Sequence, residues 1–338
     1  MKKLYIQHEG KVISKNNQFT HVMAIALDQR TKNNEGVVRC IVKREGDITV
    51  KGYIDRSELH KIKRGSFESF KIGDKLDIKN EENLINKLIE KDLDFIGLED
   101  PDIWRDEKTK LLHLYFTLPL INKIKVNRSK IYLGHAEGKD LDNLYMTMPV
   151  LYPDEIGGAK ELSIAPVNKE GFRFNLVESS KKENDFTYSV VRLAIAEDMG
   201  KLWKFGDIIF HPKEANIPWI GGHASPGPLF SKNFIDVGEG KLLGLINGRE
   251  KNKIIEGKTK YGMFSVGLFI FDYEKGKIDW VSQIPFIQDS EAKTITFASQ
   301  FIETLNGEGI LYAHVDDSFV RAYTLKAESI KSLLPIKF

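Results

Sequence analysis

The sequence predicts an all-β protein, a five-bladed β-propeller whose blades are four-stranded antiparallel sheets, with one short helix near residues 80–93. Three observations predict it. Two apolar runs around a polar turn recur along the chain. Strand-length apolar runs far outnumber helical periods. Equivalent points recur roughly 50 to 75 residues apart, a loose spacing that suits four-stranded repeats carrying insertions.

The recurring hairpins are "IYLGHAEGKDLDNLYMTMPVLYP" from Ile131, "VRLAIAEDMGKLWKFGDIIFHP" from Val191 and "VGLFIFDYEKGKIDWVSQIPFI" from Val266. Each holds an apolar strand, a turn with Asp, Gly or Lys, a Trp or Leu, and a second strand ending near proline. Segments with a shape of their own lie upstream: "GLEDPDIWRDEKTKLLHLYFT", "AKELSIAPVNKEGFRFNLVE", "GGHASPGPLFSKNFIDVGEGKLLGLINGRE" and "ITFASQFIETLNGEGILYAHVDD". A divergent first unit surrounds "FTHVMAIALDQRTKNNEGVVRCIVKREGDITVKGYID". The runs "SVVRLAIA" and "GLFIFD" are too continuously apolar for a half-wet sheet and read as inner strands buried on both faces. "NEENLINKLIEKDL", Asn80 to Leu93, has helical apolar spacing and acids in its first turn. "LKAESIKSLL" reads as a helical turn or a blade edge. The expected layout is a single domain, 1–338, with blades near 15–80, 95–155, 156–215, 220–288 and 290–338. A β-sandwich or two packed β domains is the competing architecture.

Composition excludes several classes. The 338 residues are 41% hydrophobic with a net charge of +2, which gives no strong pull toward nucleic acid or membrane. No apolar run is long enough to cross a bilayer, and "MKKLYIQHEG" has no apolar core of a signal peptide. Cys40 is the only cysteine, so neither an intrachain disulfide nor a cysteine-based zinc cluster is expected, and a cytoplasmic location is. "KREGDITVKGYIDRSELHKIKRG" is locally basic but broken by acids, so it reads as a solvated face. The nucleophile elbow, the phosphate-binding Gly-x-x-x-x-Gly-Lys loop and His-Glu-x-x-His are absent. "GHAEGKD" at Gly134 reads as a turn rather than a metal site.

From Gly221 onward the order "GPLF", "KLLGLINGRE", "YGMFSVGLFIFDYEKGKIDW", "PFI", "TFASQFIETLNGEGILYAHVDDSFVRAYTLKAESI" resembles the last two blades of glycoside hydrolase family 130. That family comprises mannoside phosphorylases and β-mannosidases on five-bladed propellers. "GLEDPDI" resembles the first three positions of the family's Glu-Asp-Pro-Arg, so the likeness runs from about Phe95 to Ile330. Departures are specific: Asp102 stands at the family arginine, Asn247 at the histidine of Tyr-His-Gly, and "AHVDD" replaces Gly-Ala-Ala-Asp, keeping Asp317 and bringing in His314 and Asp316. Phosphorolysis needs cations to hold phosphate, so these losses tilt the expectation toward hydrolysis. "DPDI" is also similar to the arabinofuranosidase and xylosidase propellers.

Glycoside cleavage needs a carboxylic acid to protonate the leaving oxygen and usually a second carboxylate. The resemblance places Asp100 on the family's catalytic aspartate. Pro101 bars a helix there, so the acid pair opens a strand; a surface Asp-Pro turn is the plain structural reading. Glu99, by alternation, points to the other side, as a backbone anchor or a sugar-hydroxyl ligand. Asp102 shares the side of Asp100, where a second carboxylate would raise one pKa or take a cation. Glu161 sits where the cousin propellers carry a general acid; the alternative is a salt bridge with Lys160. His223, in "GGHASPGPLF" with Ser225, is a sugar ligand or a turn-stabilising histidine. Asn247 and Arg249 end one strand, and His314 and Asp317 end another. Trp203 and Trp280 read as core, whereas Trp219, beside a glycine-rich turn, reads as a sugar platform. The expectation is a glycoside hydrolase acting on β-linked oligosaccharides, β-mannosides above all, with Asp100 delivering the proton to the glycosidic oxygen, as the resemblance implies, and Glu161 as the second catalytic residue. The remaining named residues would bind substrate, with no cofactor or metal. A phosphorylase using inorganic phosphate and a non-catalytic carbohydrate-binding propeller are the alternatives, and a homo-oligomer is left open.

Overall fold

The computed structural model describes residues 4–14, 18–50, 52–65, 69–122, 129–184, 186–305 and 307–335. Among the described residues the regular structure is mostly strand, as the apolar runs require. His21–Leu27, Glu35–Glu45, Ile54–Arg64 and Phe70–Lys75 form one antiparallel sheet in chain order. Glu99–Arg105, Leu112–Ile121, Lys130–Gly138 and Leu144–Met146 follow in the same order. Asp94–Phe95 and Ile78–Lys79 extend the edges of that sheet. A larger sheet contains Lys160–Ser163, Arg173–Glu183, Phe186–Ala196 and Lys204–Phe210, then His223–Leu229, Lys241–Arg249, Phe264–Asp272 and Lys277–Val281. A single parallel pairing, Ser189 with His223, joins those two runs of strands. The final sheet is Thr296–Glu303, Glu308–Val315 and Phe319–Lys326, completed by Tyr5–Ile13 from the start of the chain.

The three hairpins expected from Ile131, Val191 and Val266 all form. Phe264–Asp272 is buried along its whole length, as its composition demands. It lies in the interior of its sheet, paired on both sides, rather than at the inner edge. The helix covers Glu81–Leu88 and stops short of the expected Leu93. Ile89 turns extended, with ψ 120, after Leu84, Ile85 and Leu88 have been buried. Ala327–Lys331 is the helical turn near the C-terminus. The segment before residue 15 lies outside the five expected blades, yet its strand closes the last sheet. Arg321, 1% exposed, donates from Nη1 to the carbonyls of His8 and Glu9 at 2.9 and 2.8 Å.

The first strands of these groups touch in sequence. His21–Leu27 packs on Glu99–Arg105, which meets Lys160–Ser163, then His223–Leu229, then Thr296–Glu303, and the last returns to His21–Leu27. The apolar core lies behind that ring, between neighbouring groups. Leu245, Val266 and Leu268, for example, pack with Leu311, Ala313 and Tyr323. Gly97 shows how tightly the groups meet: at φ +112 it lies where a Cβ would stand 1.9 Å from the Ser57 carbonyl oxygen. Only glycine passes there, and the passage delivers Glu99 and Asp100 beside the neighbouring sheet.

Candidate active site

A cavity of about 360 Å³ opens at one end of the ring, walled by residues from every group of strands. Asp100, Glu161, His223, Arg249, His314 and Asp317 line it, so six of the residues singled out in the sequence converge. Asp100 and Glu161 both have φ +48 at irregular points of their first strands, and Asp317 has φ +43 in the turn before Phe319. Such left-handed non-glycine backbone costs about 1–3 kcal/mol and gathers at functional sites.

Arg39 organises the acid pair. Its Nη1 donates to Asp100 Oδ1 at 2.8 Å, its Nη2 to Glu99 Oε1 at 2.6 Å, and its Nε to Ser57 Oγ at 2.8 Å. Burial pulls this guanidinium down, but Glu99 and Asp100 more than offset it and leave it above the ordinary arginine value. Glu99 is 4% exposed and does not reach the cavity wall; burial raises its carboxyl despite Arg39 and Lys160. Lys160 Nζ stands 3.8 Å from Glu99 Oε2, so the lysine pairs with Glu99 and not with Glu161. No hydrogen bond reaches the Glu161 carboxyl among the described residues. Burial, then the negative charges of Asp100 and Glu178, hold Glu161 well above the carboxylate range.

Opposite, His223 Nε2 and Glu178 Oε2 are 3.0 Å apart. Burial raises Glu178, but the contact with His223 and the charge of Lys160 outweigh it and bring the carboxyl down to about 2. Burial lowers His223 in spite of Glu178, and its Nε2–H donates to the carboxylate. His314 is oriented in the same manner. The Ala24 amide donates to its Nδ1 at 3.4 Å, which leaves the proton on Nε2, 3.1 Å from Asp317 Oδ1. Tyr53 donates to Asp317 Oδ2 at 3.2 Å. Burial raises Asp317, and the bond from His314 with the charges of Arg39 and Arg44 brings it below its ordinary value. Arg249 stacks over Tyr261 at 4.3 Å and Phe264 at 5.2 Å. Among the described residues no carboxylate pairs with it.

Five of the expected substrate contacts lie elsewhere, Glu99 among them. Asp102 does not share the side of Asp100. The irregularity between Glu99 and Asp102 breaks the alternation, and Asp102 lines a second cavity with Trp104, Arg173 and Gln300. Burial, not Asp100, pushes its carboxyl up to about 7. Glu161 lines both cavities. Asn247 is fully buried and ties two groups of strands together, donating to the Ala298 carbonyl at 3.2 Å and accepting from its amide at 2.7 Å. Ser225 is likewise fully buried beneath the wall. Trp219 is core rather than platform. Its Nε1 donates to the Ser282 carbonyl at 3.0 Å, and its ring fills the space that side chains at Gly248 and Gly267 would need. Trp219→Ala should therefore cost about 3–5 kcal/mol of stability, read as a lower denaturation midpoint, where loss of a sugar platform would weaken binding alone.

Sequence reasoning passed over Arg39, Tyr53, Lys160 and Glu178 as wall residues. A lone arginine inside "VVRCIVK" carries a legible signal, because a charge in a buried strand needs a partner. Tyr53 was hidden inside the stretch read as a solvated face.

No family profile and no curated protein sequence matches this chain. Solved structures do match its fold. The β-1,2-mannobiose phosphorylase from Listeria innocua superposes with a TM-score of 0.66 at 13% identity, covering 100% of both chains. A structure from the GH130 family of mannoside phosphorylases, described as containing glycoside hydrolases that target β-1,2-mannosidic linkages in Candida mannan, has a TM-score of 0.65 at 17% identity, covering 96% of this chain and 94% of that one. A mannose phosphorylase from Leishmania mexicana, in complex with phosphate ion, has a TM-score of 0.54 at 14% identity, covering 100% and 92%. The fold of this chain is similar to that of GH130 enzymes.

Proposed function

We propose that this protein is a five-bladed β-propeller glycoside hydrolase that cleaves β-mannosides in the first cavity. The closed ring of first strands supports five blades, near 15–80, 95–155, 156–215, 220–288 and 290–338, with Tyr5–Ile13 completing the last. The observation that carries the reaction is the place of Glu161 at the wall beside Asp100, where burial and its acidic neighbours raise its pKa well above the ordinary value. Glu161 gives its proton to the glycosidic oxygen as the bond to the anomeric carbon breaks. Water supplies the oxygen that replaces the leaving group, and its proton passes to Asp100, positioned by Arg39. Asp317, His314 and the Glu178–His223 pair hold sugar hydroxyls through charge-assisted hydrogen bonds. The single, buried Cys40 accords with a reducing, cytoplasmic setting, and no described helix is long and apolar enough to cross a membrane.

A second reading, phosphorolysis, is favoured by Arg249. The cations missing from the family positions are replaced at the wall by Arg249 and Lys160, and a guanidinium without a carboxylate partner suits an anion. Incubating the protein with β-1,2-mannobiose, with and without inorganic phosphate, separates the two. Free mannose formed at the same rate in both supports hydrolysis. Mannose 1-phosphate formed only with phosphate transfers the proposal to the phosphorylase. No product from any β-mannoside leaves a binding protein.

A further inference from the structure

The strands Leu112–Ile121 and Lys130–Gly138 bring together three potential metal ligands away from both cavities. His113 and Glu137 are directly opposite in the antiparallel register, and His135, two residues before Glu137, projects from the same face. His113 Nδ1 stands 2.9 Å from His135 Nε2 and 3.8 Å from Glu137 Oε2, and the three ligand atoms all lie within 4.8 Å of one another. Ligands of a tetrahedral zinc ion, with bonds near 2.0–2.1 Å, are about 3.4 Å apart, so small side-chain shifts would close the set. The sequence reading of "GHAEGKD" as a turn is corrected by the same register: His135 and Glu137 lie within a strand.

Tautomer and access fit the same use. His135 is fully buried, and its Nδ1 is 2.6 Å from Thr147 Oγ1. That hydroxyl has the Met148 carbonyl at 3.1 Å to donate to, so it accepts from His135 Nδ1–H, and the His135 Nε2 lone pair accepts from His113 Nδ1–H; an ion would take the place of that shared proton, with His113 then carrying its own on Nε2. This is the outer hydrogen bond that orients a metal-bound histidine. Glu137 keeps 39% of its side chain exposed, which gives an ion a path from solvent and room for a water ligand. Gly200 closes the other side, where a Cβ would stand 3.2 Å from Glu137 Oε2 and 3.4 Å from His113 Cε1. We propose that His113, His135 and Glu137 bind one divalent ion of borderline softness, zinc, which ties the two strands together beside the loop carrying Gly200. Two imidazoles and one carboxylate suit zinc far better than magnesium or calcium.

The test is a titration of chelator-treated full-length protein with zinc chloride, with magnesium chloride as a control and cobalt(II) as the spectroscopic probe. The expected result is one zinc bound per chain, a rise in Tm of a few degrees, and a visible cobalt d–d absorption, none of them with magnesium. Glu137→Gln, at the exposed edge of the cluster, should preserve the fold and lower zinc affinity at least tenfold. Thr147→Val should lower it about 10- to 100-fold while keeping all three ligands. Zinc binding and Tm shifts that are identical in the wild type and in Glu137→Gln would overturn the assignment, as would the absence of zinc binding in a wild type that is folded by circular dichroism.

Discussion

On the proposed mechanism, Glu161→Gln is expected to lower the rate of β-mannoside cleavage by about 10²- to 10⁴-fold, the usual contribution of a general acid. The amide keeps the shape of the side chain and its place on both cavities but has no proton to give. The pH profile carries the finer signature. Because burial and the charges of Asp100 and Glu178 raise the Glu161 pKa, wild-type kcat falls as pH rises through that value, and this alkaline limb disappears in the variant's residual activity. Stability moves the other way. A carboxyl whose folded pKa lies above its unfolded value of 4.5 contributes most below that value, and the contribution is lost as pH rises through the folded pKa. The glutamine variant is therefore more stable than the wild type at neutral and alkaline pH, with an advantage that vanishes toward pH 4. Full activity in Glu161→Gln, measured as released mannose, would remove Glu161 from the chemistry.

Arg39→Met has the largest expected effect on stability, about 3–5 kcal/mol, the cost of leaving one side of a buried ion pair uncompensated. Arg39 has 10% of its side chain exposed, Glu99 5% and Asp100 7%, so water cannot replace the lost partner. Both carboxylates would then repel in a confined space, and Asp100 would lose the bond that positions it. Two readouts follow: a lower urea midpoint, and loss of cleavage at temperatures where the variant is still folded. Adding Glu99→Gln removes one of the two repelling carboxylates and should restore part of the stability but none of the activity. A single variant as stable and active as the wild type would show that Arg39 neither supports the wall nor positions Asp100.

The strand grammar was readable because it rests on local physics. Alternating and continuous apolar runs, turn residues and proline placement located the hairpins from Ile131, Val191 and Val266, and helical spacing located the helix at Glu81–Leu88. Part of the cavity wall was readable too. Acids and histidines at strand ends, namely Asp100, Glu161, His223, His314 and Asp317, stand out against apolar neighbours, and all five line the cavity. The failures share one cause. Strand alternation put Asp102 beside Asp100, but a backbone irregularity at a positive φ sent them to different cavities. The family resemblance put Asn247 at the channel, and the neighbouring glycine-rich turn did the same for Ser225 and Trp219, although contacts between groups of strands bury all three.

Composition and periodicity thus determined that the chain makes paired strands and which polar side chains end them, because both depend on residues a few positions apart. Tertiary structure decided which end faces a cavity, which charge meets Arg39, and that Tyr5–Ile13 joins a sheet more than three hundred residues away. Those outcomes depend on long-range packing and on the need of every buried charge for a partner, and neither is written in any local stretch of sequence.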